Sequence, residues 1–176
     1  MTRNRDPGFP PPGTVPVVIP GDVVLVHSTG LVVWAGAVTV YPEGFAFTLR
    51  TLWDTSCTMP PAAWALDVAE RDRMTWLEIR YPDGRARSAD LNANTPHRQP
   101  RGPHLEFLSG EGSEGCDDSR WWATPLPPPG QVELAIHLNG ERAATGAGHL
   151  DGTALVSAAA RTQSVWPSAS GETGLA

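Results

Sequence analysis

The sequence predicts a mainly β protein, an antiparallel β-sandwich or open barrel of about ten short strands with one C-terminal α-helix. Three observations lead there. Glycine and proline each occur 18 times among 176 residues, which interrupts the backbone too often for a helical bundle. Where apolar residues alternate, they do so with period two. A helical stripe of apolar residues occurs convincingly only once, near the C-terminus. The length suits one domain. It is assigned to residues 14–167, between a proline-rich N-terminal tail (1–13) and a flexible polar tail (168–176).

The elements follow in order. Pro7, Pro10, Pro11, Pro12, Pro16 and Pro20 hold the N-terminal arm extended. Val15–Ile19 and Val23–Val26 are short apolar runs parted by Pro20-Gly21. Leu31–Tyr41 is a longer valine-rich run suited to a buried strand. The turn Tyr41-Pro42-Glu43-Gly44 ends it. Phe45, Phe47 and Leu49 then share one face of a strand, with Ala46, Thr48 and Arg50 opposite. Met74–Tyr81 repeats the pattern: Leu77, Ile79 and Tyr81 on one face, Trp76, Glu78 and Arg80 on the other. Tyr81-Pro82-Asp83-Gly84 repeats the turn, with proline presetting φ and glycine supplying a positive one. Asn139-Gly140 is a favoured two-residue hairpin turn, with arms Val132–Leu138 and Glu141–Ala147. Asp151 can cap a helix whose stripe is Leu155, Ala159, Thr162 and Trp166, stopped by Pro167. Pro61–Glu70 is a second, shorter helical candidate. Pro125–Gly130 reads as a rigid crossover between sheets.

Several of these segments together resemble a group of actinobacterial proteins without an assigned activity. The resemblance is carried by Tyr41-Pro42-Glu43-Gly44-Phe45-Ala46-Phe47-Thr48-Leu49, Asp83-Gly84-Arg85, a glycine-rich loop, Trp122-Ala123-Thr124-Pro125-Leu126-Pro127-Pro128-Pro129-Gly130, Ala158-Ala159-Ala160-Arg161 and Val165-Trp166-Pro167. It spans Val15 to Pro167. It implies one compact domain and transfers no catalytic residue. The chain departs from the pattern in its more acidic loop and in the added stretch Pro60–Arg73.

Charge and composition narrow the function by exclusion. All 13 basic residues are arginine, against 19 acids, for a net charge of −6. That balance offers no general attraction to nucleic acid or to an anionic membrane. Leu31–Val40 is half the length of a membrane helix. The N-terminus has no apolar core of a secretory signal, so a cytoplasmic chain with Cys57 and Cys116 reduced is expected. A single bridge between the two cysteines cannot be decided from sequence.

Each candidate chemistry lacks a member. The loop Gly110–Asp118 carries four carboxylates, but not at EF-hand spacing. A solvated flexible loop is the expectation. The glycines form no phosphate cradle of the Gly-Lys-Ser or Gly-Lys-Thr kind, since the chain has no lysine. His27, His97, His104, His137 and His149 form no standard zinc spacing. His104 and Glu106 share a strand face, and any metal set would be His104, Glu106, Asp117 and Asp118. Ser113 lies in a motif one residue too short for a nucleophile elbow. Asp117 and Asp118 raise the pKa of Cys116, which makes it a poor nucleophile. Pro96–His104 is a small basic stretch expected to pair with the acidic loop.

The seven tryptophans are the remaining signal, and most are expected in the core. Trp121 and Trp122 are adjacent, so in a strand one points in and one points out. An outward ring beside Asp118 and Arg120 suits a protein pocket or a sugar, and Trp76 is a second outward ring. The expected binding residues are therefore Trp121, Trp122, Asp118, Arg120 and Trp76. The expected function is a non-enzymatic module for a protein partner, without cofactor. The alternatives are a carbohydrate-binding sandwich and a small metal-dependent hydrolase.

Overall fold

A computed structural model of the chain describes residues 9–56, 75–90, 102–138 and 144–165. The Pro61–Glu70 helix, the Cys57 pairing, the Asn139-Gly140 turn, Trp166, residues 1–8 of the N-terminal tail and the C-terminal tail lie outside them.

Twelve strands and one helix are present among the described residues. They are β1 (Thr14–Val15), β2 (Val17–Ile19), β3 (Val23–Ser28), β4 (Leu31–Val40), β5 (Phe45–Trp53), β6 (Thr75–Arg80), β7 (Ala86–Asp90), β8 (His104–Ser113), β9 (Cys116–Thr124), β10 (Gln131–Leu138), β11 (Ala144–Asp151), α1 (Gly152–Ala159) and β12 (Gln163–Ser164). They form two antiparallel sheets and a small ribbon. The larger sheet runs β2-β4-β5-β9-β8, with β3 beside β2 on the same edge of β4. The smaller runs β11-β10-β6-β7, and β1 pairs β12. No sheet closes on itself, so the architecture is sandwich-like, as the period-two pattern predicts.

Alternation builds the core. Phe45, Phe47 and Leu49 of β5 and Trp121 and Ala123 of β9 face Leu77, Ile79, Val132, Leu134 and Ile136 of the smaller sheet, all buried. At one seam the backbones nearly touch: a Cβ on Gly146 of β11 would stand 1.8 Å from the Leu25 carbonyl oxygen of β3. At the opposite seam β7 borders β8. α1 caps an end of the sandwich by burying Leu155 and Ala158 against β2, β4 and β10.

Three expectations need correction. The helix starts as predicted, with the Asp151 carboxylate accepting from Thr153 N–H at 2.8 Å. It ends at Ala159, before Thr162. The Thr162 hydroxyl instead donates to the Ala159 carbonyl at 2.8 Å, and Gln163–Ser164 leave to pair with β1. The acidic stretch 110–118 is not a loop. Ser113 pairs with Cys116, so Glu114 and Gly115 form a tight turn and the rest is strand. In the β10–β11 hairpin, Leu138 pairs with Ala144. Finally, the two Tyr-Pro-acid-Gly turns differ. Gly84 has φ +84 and donates to Tyr81 O, whereas Gly44 is not in the left-handed region. Gly44 is small because a Cβ there would lie 2.3 Å from Ala123 O and 2.8 Å from the Trp122 ring.

Candidate functional site

The sequence-predicted residues distribute over three surfaces. Trp121 and Trp122 do point to opposite faces of β9, yet each is only 1% exposed. Trp121 is core: it meets Phe107 edge-on at 5.6 Å, and its indole N–H donates to Ser119 at 3.0 Å. Trp122 faces outward, but Tyr41 covers it edge-on at 5.5 Å and the Gly44 turn closes over it. Neither ring offers a surface to a ligand. The second ring points outward as expected but is not exposed, because a neighbouring turn, not the opposite sheet, buries it.

Asp118 and Arg120 lie on the outer face of the larger sheet, beside side chains that the sequence did not single out. One cross-strand row reads Val24, Trp34, Arg50, Asp118, Glu111 over β3, β4, β5, β9 and β8. Arg50 links its halves. Its guanidinium stands over the Trp34 ring at 5.7 Å and grips the Asp118 carboxylate with two hydrogen bonds. Those bonds and the arginine charge hold the Asp118 carboxyl below its ordinary range and raise Arg50. Next to this row, Thr48, Ser109, Gly110, Glu111, Asp118 and Arg120 line a shallow groove of about 290 Å³. The Arg120 guanidinium is exposed and forms no ion pair among the described residues.

The apolar margin of this face is also open. Val24 is 55% and Leu52 40% exposed, and Trp34 is partly exposed between them. A partly exposed tryptophan thus lies among exposed aliphatics on the same sheet face as Arg120. The signal was present in the sequence as Trp34 within a valine-rich strand. The strand reads as uniformly buried, which hid its alternation.

Trp76 lies elsewhere, on the outer face of the smaller sheet. It stacks on His137 at 4.6 Å and 18°. Farther along that face Arg80 bonds Glu78 at 2.7 Å and approaches Glu133, which also neighbours His149. Trp76 therefore shares no surface with Asp118 and Arg120.

The metal set is not gathered. His104 and Glu106 do share a face, 3.1 Å apart. Asp117 pairs with Gly112, eight residues along β8 from His104, or about 26 Å at the strand rise. Its side chain also points to the other face, where burial pushes its pKa up. Among the described residues no group of three or more His, Cys, Asp or Glu is placed to hold a metal ion. The Cys116 thiol is pushed up as well, first by burial and then by Asp118.

No helix among the described residues is long and apolar enough to cross a membrane. Compared with protein-family models, with curated proteins and with solved structures, the chain matches none.

Proposed function

We propose that this chain is a binding module that engages another protein through the outer face of its larger sheet. The observation that carries the reading is the partly exposed Trp34. It is braced by the Arg50 guanidinium at 5.7 Å and flanked by exposed Val24. Tryptophan and arginine dominate binding energy at protein interfaces, because each buries a large area while keeping polar reach. Arg120 adds a positive group free to meet a carboxylate of the partner. The groove is too shallow and polar to enclose a small substrate, and it lacks an acid–base pair aimed into it.

The test is affinity capture from the source organism's lysate, followed by direct titration of the recovered protein. The wild-type chain is compared with Val24→Arg and with Arg120→Glu, both surface changes that leave the core intact. A partner that loses at least tenfold in affinity with both variants supports the surface. Equal binding by all three chains, or no specific partner for the wild type, refutes it.

A further inference from the structure

Strand β7 carries a charge on the wrong face. Its core-facing residues are Arg87 and Ala89, opposite the buried Ile79 and Leu77 of β6. Arg87 is 8% exposed, and its buried Nε has no hydrogen-bond partner. No ion pair reaches it from any described residue. The other described arginines contrast with it. Arg50, Arg80 and Arg85 each bond a carboxylate, while Arg120 and Arg161 are exposed to water.

A guanidinium keeps its charge at any relevant pH. Its Nε, buried without a partner, carries an uncompensated desolvation cost, while its terminal nitrogens are not among the buried unpartnered atoms of the described residues. Its position shows how the charge can be met. Among the described residues β7 is an edge strand of the smaller sheet and borders β8, an edge strand of the larger one. Gly102, on the approach to β8, lies against the Ala86 carbonyl. Pro103 and Leu105 beside it are buried. Arg87 thus stands at the seam between the two sheets, with apolar walls and a fork of donors. That combination suits bidentate recognition of an oxyanion.

We propose that Arg87 is the anchor of a binding site for a small oxyanion, the carboxylate or phosphate group of a soluble ligand, at the β7–β8 seam. This site lies apart from the Trp34 face and does not depend on the function proposed for it.

The test follows thermal unfolding of the full chain against inorganic phosphate and, separately, acetate, with ionic strength held constant by chloride. The wild-type midpoint rises and saturates with one of the two ions, by roughly 3–5 °C at a tenfold excess over the dissociation constant. The ion that acts tells phosphate from carboxylate. Arg87→Met keeps the apolar stem, unfolds at the wild-type midpoint or higher without anion, and shows no response. Arg87→Lys keeps the charge without the fork and binds at least tenfold more weakly. Isothermal titration of phosphate and acetate into the wild type gives the same answer without relying on a variant. A flat wild-type response overturns the proposal. So does an equal response in Arg87→Met, which means an adventitious surface ion only. A large loss of stability in Arg87→Met without anion also overturns it, because the guanidinium is then matched within the chain.

Discussion

Gly146→Ala tests the packing of the β3–β11 seam. The added methyl would stand 1.8 Å from the Leu25 carbonyl oxygen and 2.7 Å from its carbon. Real Cβ atoms essentially never come closer than 3.0 Å, so one backbone must retreat by more than an ångström. Neither strand can do so cheaply, since β3 is bonded to β4 and β11 to β10. Overpacking of this kind costs about 1–3 kcal/mol or more, against a gain of at most about 1 kcal/mol from the stiffer unfolded chain. The expected net loss is about 2 kcal/mol, or roughly 4–8 °C in midpoint for a chain of this size. Urea unfolding followed by tryptophan fluorescence measures it. Gly148→Ala is the internal comparison. Its nearest obstacle is the tip of Val23, at 2.2 Å. Val23→Ala should therefore rescue Gly148→Ala, with clear non-additivity between the two. No side-chain change can rescue Gly146→Ala, because its obstacle is backbone. A Gly146→Ala chain within about 0.5 kcal/mol of wild type would refute the close approach of β3 and β11.

Three further predictions follow from single contacts. The Tyr81 hydroxyl donates to the Pro125 carbonyl at 2.5 Å from a position 2% exposed. Tyr81→Phe leaves that acceptor without its donor and costs about 1–2 kcal/mol in chemical unfolding. Asp151→Ala removes the cap of α1 and costs about 1 kcal/mol, with faster amide exchange at Thr153 as its local sign. Asp117 and Asp118 titrate on opposite sides of the ordinary value near 3.8. For Asp118, Arg50 depresses the folded pKa. Its stabilisation is present above the ordinary carboxylate range and is lost as pH falls through the folded value. For Asp117, burial raises the folded pKa, so stability declines as pH rises from the ordinary value through the folded one. Carboxyl-detected NMR titration separates them. Arg50→Met should bring Asp118 back up to at least its ordinary value, and an unmoved Asp118 would sink that assignment.

The fold class was legible because burial on one face leaves a mark at every second residue. Phe45, Phe47 and Leu49, or Leu77, Ile79 and Tyr81, announce their strands without help from the rest of the chain. Less legible were features set by contacts between elements. The stripe Leu155, Ala159, Thr162 fits a longer helix. Whether the chain continues or turns away depends on an alternative partner for residues 163–164, which β1 supplies from the far end of the sequence. The hairpin at 113–116 was hidden because glycines and acids read as solvated loop, although β5 and β8 flank β9 and complete its ladder.

The candidate site shows the same division at the level of single side chains. Asp118 and Arg120 could be placed together from sequence, since residues two apart in a strand share a face. Trp122 shares that face with them and is nonetheless lost to solvent, because Tyr41 and the Gly44 turn happen to cover that end of it. Trp34 lies on the same face and stays partly exposed beside exposed Val24, with the Arg50 guanidinium over its ring. Alternation decides which face a ring takes, but only the neighbouring strands and turns decide whether that face is open. A tryptophan dyad is thus a weak marker of a binding surface in a sandwich of this kind. The proposed function rests instead on a single tryptophan on the outer face of an interior strand, held by a cross-strand arginine. The same reasoning marks Arg87: strand parity alone turns it inward, and only the absence of a facing carboxylate among the described residues makes it unusual.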